Sequence, residues 1–110
     1  MKKYQVQYSA EALDDLRRIY QYIANELKAP QAARGQVDRI RKAIRSLSTT
    51  PDRFSTVDWE PWLTMGMRKI PVNNYLAFYL VENTDSTVTV VRIFYSGRNI
   101  EEIIQEDQIP

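Results

Sequence analysis

Cysteine and histidine are both absent from the 110 residues. The first absence excludes disulfides and thiolate metal sites. The second removes the commonest general base and the commonest metal ligand. Any chemistry therefore falls to Tyr, Lys, Arg, Asp, Glu, Ser or Thr, and neither a metal nor an organic cofactor is expected. Glycine is scarce, with 3 residues. No P-loop, GxGxxG or HExxH string is present, and Gly66 and Gly97 bracket strands rather than cradle phosphates. No apolar run approaches the ~18 residues that cross a bilayer. Met1-Lys2-Lys3 is followed by YQVQY, which alternates polar and apolar residues, unlike a signal peptide. The expectation is a soluble cytoplasmic protein with no membrane partner.

What is present suits one domain over residues 1–110, since 44% of the residues are hydrophobic and can bury a modest core. The net charge of +1 conceals an asymmetry. Residues 1–50 hold 10 Lys and Arg against 5 Asp and Glu, residues 51–100 hold 5 against 5, and residues 101–110 hold none against 4. A basic body with an acidic end is compatible with a nucleic-acid partner, and equally with a solvated surface.

Tyr4, Val6 and Tyr8 alternate with Lys3, Gln5 and Gln7 at the period of a half-buried strand. Ser9 fits a helix N-cap, followed by Glu11, Asp14 and Asp15 in the first turns. Leu13, Leu16, Tyr20, Ile23 and Leu27 then predict an amphipathic helix of about 18 residues. Pro30 opens a second helix with a stripe of Ala33, Val37, Ile40, Ile44 and Leu47 and a basic outer face, ending near Ser48. The short joint makes the pair an antiparallel hairpin. Residues 51–65 are turn-rich but carry Phe54, Trp59 and Trp62, so they read as a packed loop. Three strands follow, at 66–72, 75–81 and 87–95, with Asn73-Asn74 as a tight turn. Pro71 marks the first as an edge strand. Residues 99–105 read as a short C-terminal helix. The predicted class is α+β, with an N-terminal strand and an antiparallel helical hairpin on an antiparallel sheet, one face of which stays partly open.

The cations of the last third draw attention. Arg68 shares strand parity with Ile70 and Val72, and Arg92 with Val88, Val90 and Phe94. Arg68, Lys69, Arg92 and Arg98 can thus meet on one open sheet face, with Tyr95 beside them as a ring or a hydroxyl. For Arg92 alone the preferred reading is structural, a strand arginine paired with a nearby carboxylate.

The stretches YQVQYSAEALDDLRRIYQYIANEL, KAPQAA, GMRKIPVNNYLAFYLV and VTVVRIFYSGRNIEEII, in that order, resemble the RelE/ParE superfamily of toxins from type II toxin–antitoxin pairs. The resemblance covers most of residues 4–104. It implies a small toxin held by a cognate antitoxin segment. RelE-like members are ribosome-dependent mRNA endonucleases, and ParE-like members inhibit DNA gyrase on a similar scaffold. On the RelE pattern the catalytic set implied here is Arg68, Lys69, Tyr95 and Arg98, with Arg68 and Arg98 on phosphate and Lys69 supporting the field. The partners implied are then the ribosome and mRNA, or gyrase in the alternative. Two positions depart from that pattern: Leu76 stands where RelE has an arginine, and Ile104 where RelE has a late tyrosine. Gyrase inhibition, or an inactive binding module on the same fold, stays open beside mRNA cleavage.

Overall fold

Ser9 turns the first strand, β1 (Gln5–Tyr8), into the first helix, α1 (Ala10–Gln21). In the computed structural model, which describes residues 3–96, its hydroxyl oxygen accepts from the Ala12 N–H at 3.0 Å and donates to the Val91 carbonyl at 2.8 Å. One side chain thus caps the helix, worth ~1 kcal/mol, and ties it to the sheet. The helical path continues as a π turn over Tyr22–Glu26, so its length matches the predicted first helix. Lys28, in the left-handed region at φ 54°, reverses the chain into α2 (Pro30–Arg45), which has proline in its first turn. Short 3₁₀ turns at Ser46–Ser48 and Pro51–Arg53 follow, then α3 (Trp62–Met65), which Gly66 terminates at φ 77°.

The remaining strands are β2 (Arg68–Val72), β3 (Tyr75–Glu82) and β4 (Thr87–Tyr95). They form the expected antiparallel meander. The sheet order is β1-β4-β3-β2, and β1 pairs with β4 in parallel, so the sheet is mixed rather than wholly antiparallel. A parallel pair needs a long crossover, and here the two helices and the meander together supply it. The α+β architecture is the one anticipated. β2, with Pro71, is the outer strand, where a missing N–H is tolerated. Residues 55–57 line its free edge, through Lys69 N–H to the Ser55 carbonyl and Val57 N–H to the Met67 carbonyl. In the β2–β3 turn, Asn73 lies at φ 54°, and its Oδ1 accepts from Arg39 Nε at 3.2 Å, which fastens the turn to α2.

Both faces of the sheet are covered. The helical hairpin packs Ala12, Leu16, Ile40, Ile44 and Leu47 against Ile70, Val72, Ala77, Tyr79, Val88, Val90 and Ile93. On the far face Val57, Trp62 and Met67 pack against Phe78 and Phe94, with Trp62 and Phe78 ring centroids 4.9 Å apart. The expectation of a partly open second face is therefore corrected. Part of the turn-rich 51–65 segment lies across it, because Trp59 and Trp62 gain more from burial there than from solvent, whereas Phe54 packs on the helix side. The predicted helix at 99–105 lies outside the described residues.

Candidate functional site: a groove beside the hairpin

A β-bulge decides where the cations point. The β3–β4 register runs Tyr79↔Val90 and then Phe78↔Arg92, leaving Val91 as the extra residue. Val88 and Val90 face the helices before the bulge and Ile93 does so after it, whereas Phe94 belongs to the far-face cluster. Arg92 accordingly loses the parity with Val88 and Val90 that strict alternation assigned to it. β1 ends opposite Val90, so the stretch beyond is an edge over which Arg92 reaches Asp15 of α1. Arg92 Nε donates to Asp15 Oδ2 at 2.9 Å and Nη2 to Oδ1 at 3.3 Å, while the Ile93 N–H also donates to Oδ2 at 2.9 Å. The structural reading of Arg92, pairing with a carboxylate, matches this geometry.

The other candidates are dispersed. Arg68 lies on the helix side of β2, half-buried, and its Nη1 donates to the Phe54 carbonyl at 2.5 Å. It neighbours Tyr79, whose hydroxyl donates to the Pro51 carbonyl at 2.5 Å. Burial pushes Tyr79 up to about 12, against the opposing pull of the Arg68 and Arg53 guanidiniums. Lys69, the next residue, points to the opposite face, its ammonium 5.8 Å from the Trp59 ring centroid. Tyr95 is exposed at the end of β4 and meets Tyr75 edge-on, with ring centroids 5.6 Å apart. Burial, then the neighbouring Tyr95, then Tyr22, raise the Tyr75 pKa. Arg98 lies outside the described residues. Of the four residues implied by the RelE pattern, the three described ones do not converge on one point.

What the fold does build is a groove of about 960 Å³ on the helix side, at the end of the sheet where β3 begins and β4 ends. One wall comes from α1 and the π turn with Ile19, Tyr22 and Ile23; Ala32 and Gln36 of α2 form the other, and Tyr75, Ile93 and Tyr95 border the sheet end. Leu27 and Tyr22, each 56% exposed, and Tyr95, 47% exposed, present apolar surface there. Arg18 and Arg39 stand among the lining residues with the Asp15–Arg92 pair. Such a surface accepts an apolar segment carrying acidic neighbours. Helical periodicity assigned Leu27 to the buried stripe. The π turn inserts a residue into the helical repeat and rotates Leu27 out, an event that hydrophobic spacing alone does not reveal. The local signal for this wall is Tyr22, a large aromatic that falls outside the stripe of Leu13, Leu16, Tyr20, Ile23 and Leu27. Among the described residues no group of His, Cys, Asp or Glu suits a metal ion, and no helix is long and apolar enough to cross a membrane.

A helical hairpin laid over a four-stranded mixed sheet is the scaffold of RelE- and ParE-type toxins, and the comparisons agree. The profile of the ParE toxin of the type II toxin–antitoxin system parDE matches residues 6–100. The chain belongs to that family. A chromosomal ParDE toxin–antitoxin protein from P. aeruginosa is similar in structure at TM-score 0.70 and 19% identity, over 86% of this chain and 98% of that one. A chain of the RelBE2 toxin–antitoxin complex of Mycobacterium tuberculosis matches at TM-score 0.62 and 20% identity, over 86% and 93%. A mutant of the E. coli toxin RelE in the free state matches at TM-score 0.63 and 16% identity, over 94% and 93%. No curated protein matches the sequence.

Proposed function

We propose that this protein is the toxin of a type II pair that acts in the cytoplasm by inhibiting DNA gyrase, and that its cognate antitoxin neutralises it by laying an apolar, acidic segment in the groove. One observation carries the choice of gyrase over mRNA cleavage. Ribose-to-phosphate attack needs several cations around one phosphate. Here Arg68 is engaged with the Phe54 carbonyl, Lys69 faces the far side of the sheet and Arg92 is engaged with Asp15. Leu76 and Ile104, which depart from the nuclease pattern, cost a gyrase inhibitor nothing. The family profile that matches, ParE, points the same way. The antitoxin partner is supported by the exposed Tyr22, Leu27 and Tyr95 in a groove flanked by arginines.

The test is induction of the protein without antitoxin. DNA strand breaks and a DNA-damage response with intact transcripts are expected, together with loss of supercoiling by purified gyrase. Ribosome-dependent, codon-phased cuts in mRNA 5′ ends would overturn the gyrase reading and restore the nuclease one.

A further inference from the structure

The outer face of α2 is strongly one-sided in charge. Residues 30–45 hold Arg34, Arg39, Arg41, Lys42 and Arg45 against the single acid Asp38. Arg39 turns inward to Asn73 and Gln36. Arg34, Asp38, Arg41 and Arg45 follow one another at steps of four, three and four, which is one stripe of an α-helix, with Lys42 beside it. All are exposed. The ion pairs formed among the described residues engage Arg17, Arg18 and Arg92, and none engages a cation of α2. At ~1.5 Å per residue the stripe from Arg34 to Arg45 runs about 16 Å.

We infer that this stripe binds the phosphate backbone of duplex DNA. Arginine forks match phosphate oxygens and carry affinity without reading sequence. The Arg41 guanidinium lies 5.6 Å from the Tyr8 ring centroid, which holds one of the forks in place. That same contact argues against single strands. Tyr8, the aromatic residue of the patch, is half-buried beneath Arg41 and offers no free ring for the base stacking that single-strand binding uses. An acidic protein segment is also a poorer fit, because Arg34, Asp38, Arg41, Lys42 and Arg45 present no apolar anchor between them. A straight helix suits the groove rims of B-form DNA, whereas the major groove of A-form RNA is deep and narrow. This inference does not rest on the gyrase reading.

The test is fluorescence anisotropy of a labelled 20-base-pair DNA duplex, as about two helical turns, titrated with the full-length protein over a range of salt. Three neutralised phosphates give a log–log salt slope of about −2.7, a loss of roughly 40-fold in affinity between about 50 and 200 mM salt. The double variant Arg41→Gln/Arg45→Gln, its fold checked by circular dichroism, lowers that slope by about two. The charge-matched control Arg17→Gln/Lys28→Gln leaves it unchanged. The inference is overturned if both doubles weaken binding alike, if the slope is near zero, if an RNA duplex of the same sequence binds as tightly, or if polyglutamate competes as well as DNA at equal charge.

Discussion

The Asp15 carboxylate and the Arg92 guanidinium, 77 positions apart in sequence, meet as a two-pronged fork that clamps α1 to the stretch of β4 that runs past the end of β1. The clamp has a third prong, since Oδ2 of Asp15 also accepts from the Ile93 N–H. Asp15 is 8% exposed, so its charge is stabilised by these partners rather than by water. Removing one partner of such a pair costs more than the pair contributes, because the other is left buried and unmatched. Asp15→Ala should lower stability by ~3 kcal/mol, as it strands both a guanidinium and a backbone N–H. Arg92→Ala should cost less, ~2 kcal/mol, because the Ile93 N–H still holds the carboxylate. The double variant should fall short of the sum of the two by more than ~0.5 kcal/mol. Urea unfolding of the four proteins checks this. Additive losses would mean that the fork is a contact without coupling.

The clamp also marks how far local pattern reaches. The Ser9 cap, the Pro30 start, the Asn73-Asn74 turn and the limits of β4 at Thr87 and Tyr95 are all legible, because each is set by residues within a few positions of one another. The parallel seating of β1 against β4 is not, since Val6 and Val88 pair across 82 positions with nothing local to announce it. The bulge at Val91 is equally silent. Alternation continues through Val90, Val91 and Arg92 without a glycine to mark the extra residue, so parity extrapolated across it places Arg92 wrongly. The groove depends on a third such event, the π turn at Tyr22–Glu26, which moves Leu27 from the projected core to the surface.

Tyr79 gives a prediction in pH. Its ring is fully buried and its hydroxyl donates to the Pro51 carbonyl. Burial raises its folded-state pKa to about 12 from the model-compound value of 10.0. A raised pKa means that the native state keeps its proton while the unfolded chain loses one. This contribution is complete below the unfolded value of 10.0 and is lost as pH climbs towards about 12. Tyr79→Phe should be less stable than the parent by ~1 kcal/mol near neutral pH, through the lost hydrogen bond. That gap should shrink by about 1 kcal/mol between about pH 9 and about pH 11. Urea midpoints for both proteins at the two pH values measure it, and a constant gap would show that Tyr79 titrates alike in both states.

Arg68 and Lys69 are neighbours with opposite roles, and their alanine variants should separate. Arg68→Ala removes the donor to the Phe54 carbonyl in a half-buried setting, which should cost ~1–2 kcal/mol. Lys69→Ala removes only a cation near the Trp59 ring and should cost under ~1 kcal/mol. On the proposed gyrase reading neither residue binds phosphate, so growth arrest by Lys69→Ala should equal that of the parent, and arrest by Arg68→Ala should fall only as far as its folded fraction falls. Growth curves read beside thermal melts test both. Full loss of arrest in a well-folded Lys69→Ala protein would return the residue to a direct role on the target.

The groove makes the sharpest prediction, because two of its apolar residues, Tyr22 and Leu27, are exposed and stand outside the core clusters. Tyr22→Glu and Leu27→Glu replace side chains that are each 56% exposed, so neither should shift the melting midpoint by more than about two to three degrees, as ~0.5 kcal/mol does in a domain this size. Each should weaken a neutralising segment twofold over, by removing an apolar anchor and by setting a negative charge against its acidic residues. An anchor of this kind contributes ~2 kcal/mol, so antitoxin affinity should fall at least tenfold while growth arrest is unchanged. Leu63→Glu is the control: Leu63 is 48% exposed but belongs to α3, on the far face of the sheet. It should leave antitoxin binding intact. Co-expression rescue and calorimetric titration with the cognate antitoxin give both readings. If Leu63→Glu, and not the groove variants, abolishes rescue, the antitoxin is seated on the α3 face, and the apolar exposure of Tyr22 and Leu27 serves a different contact.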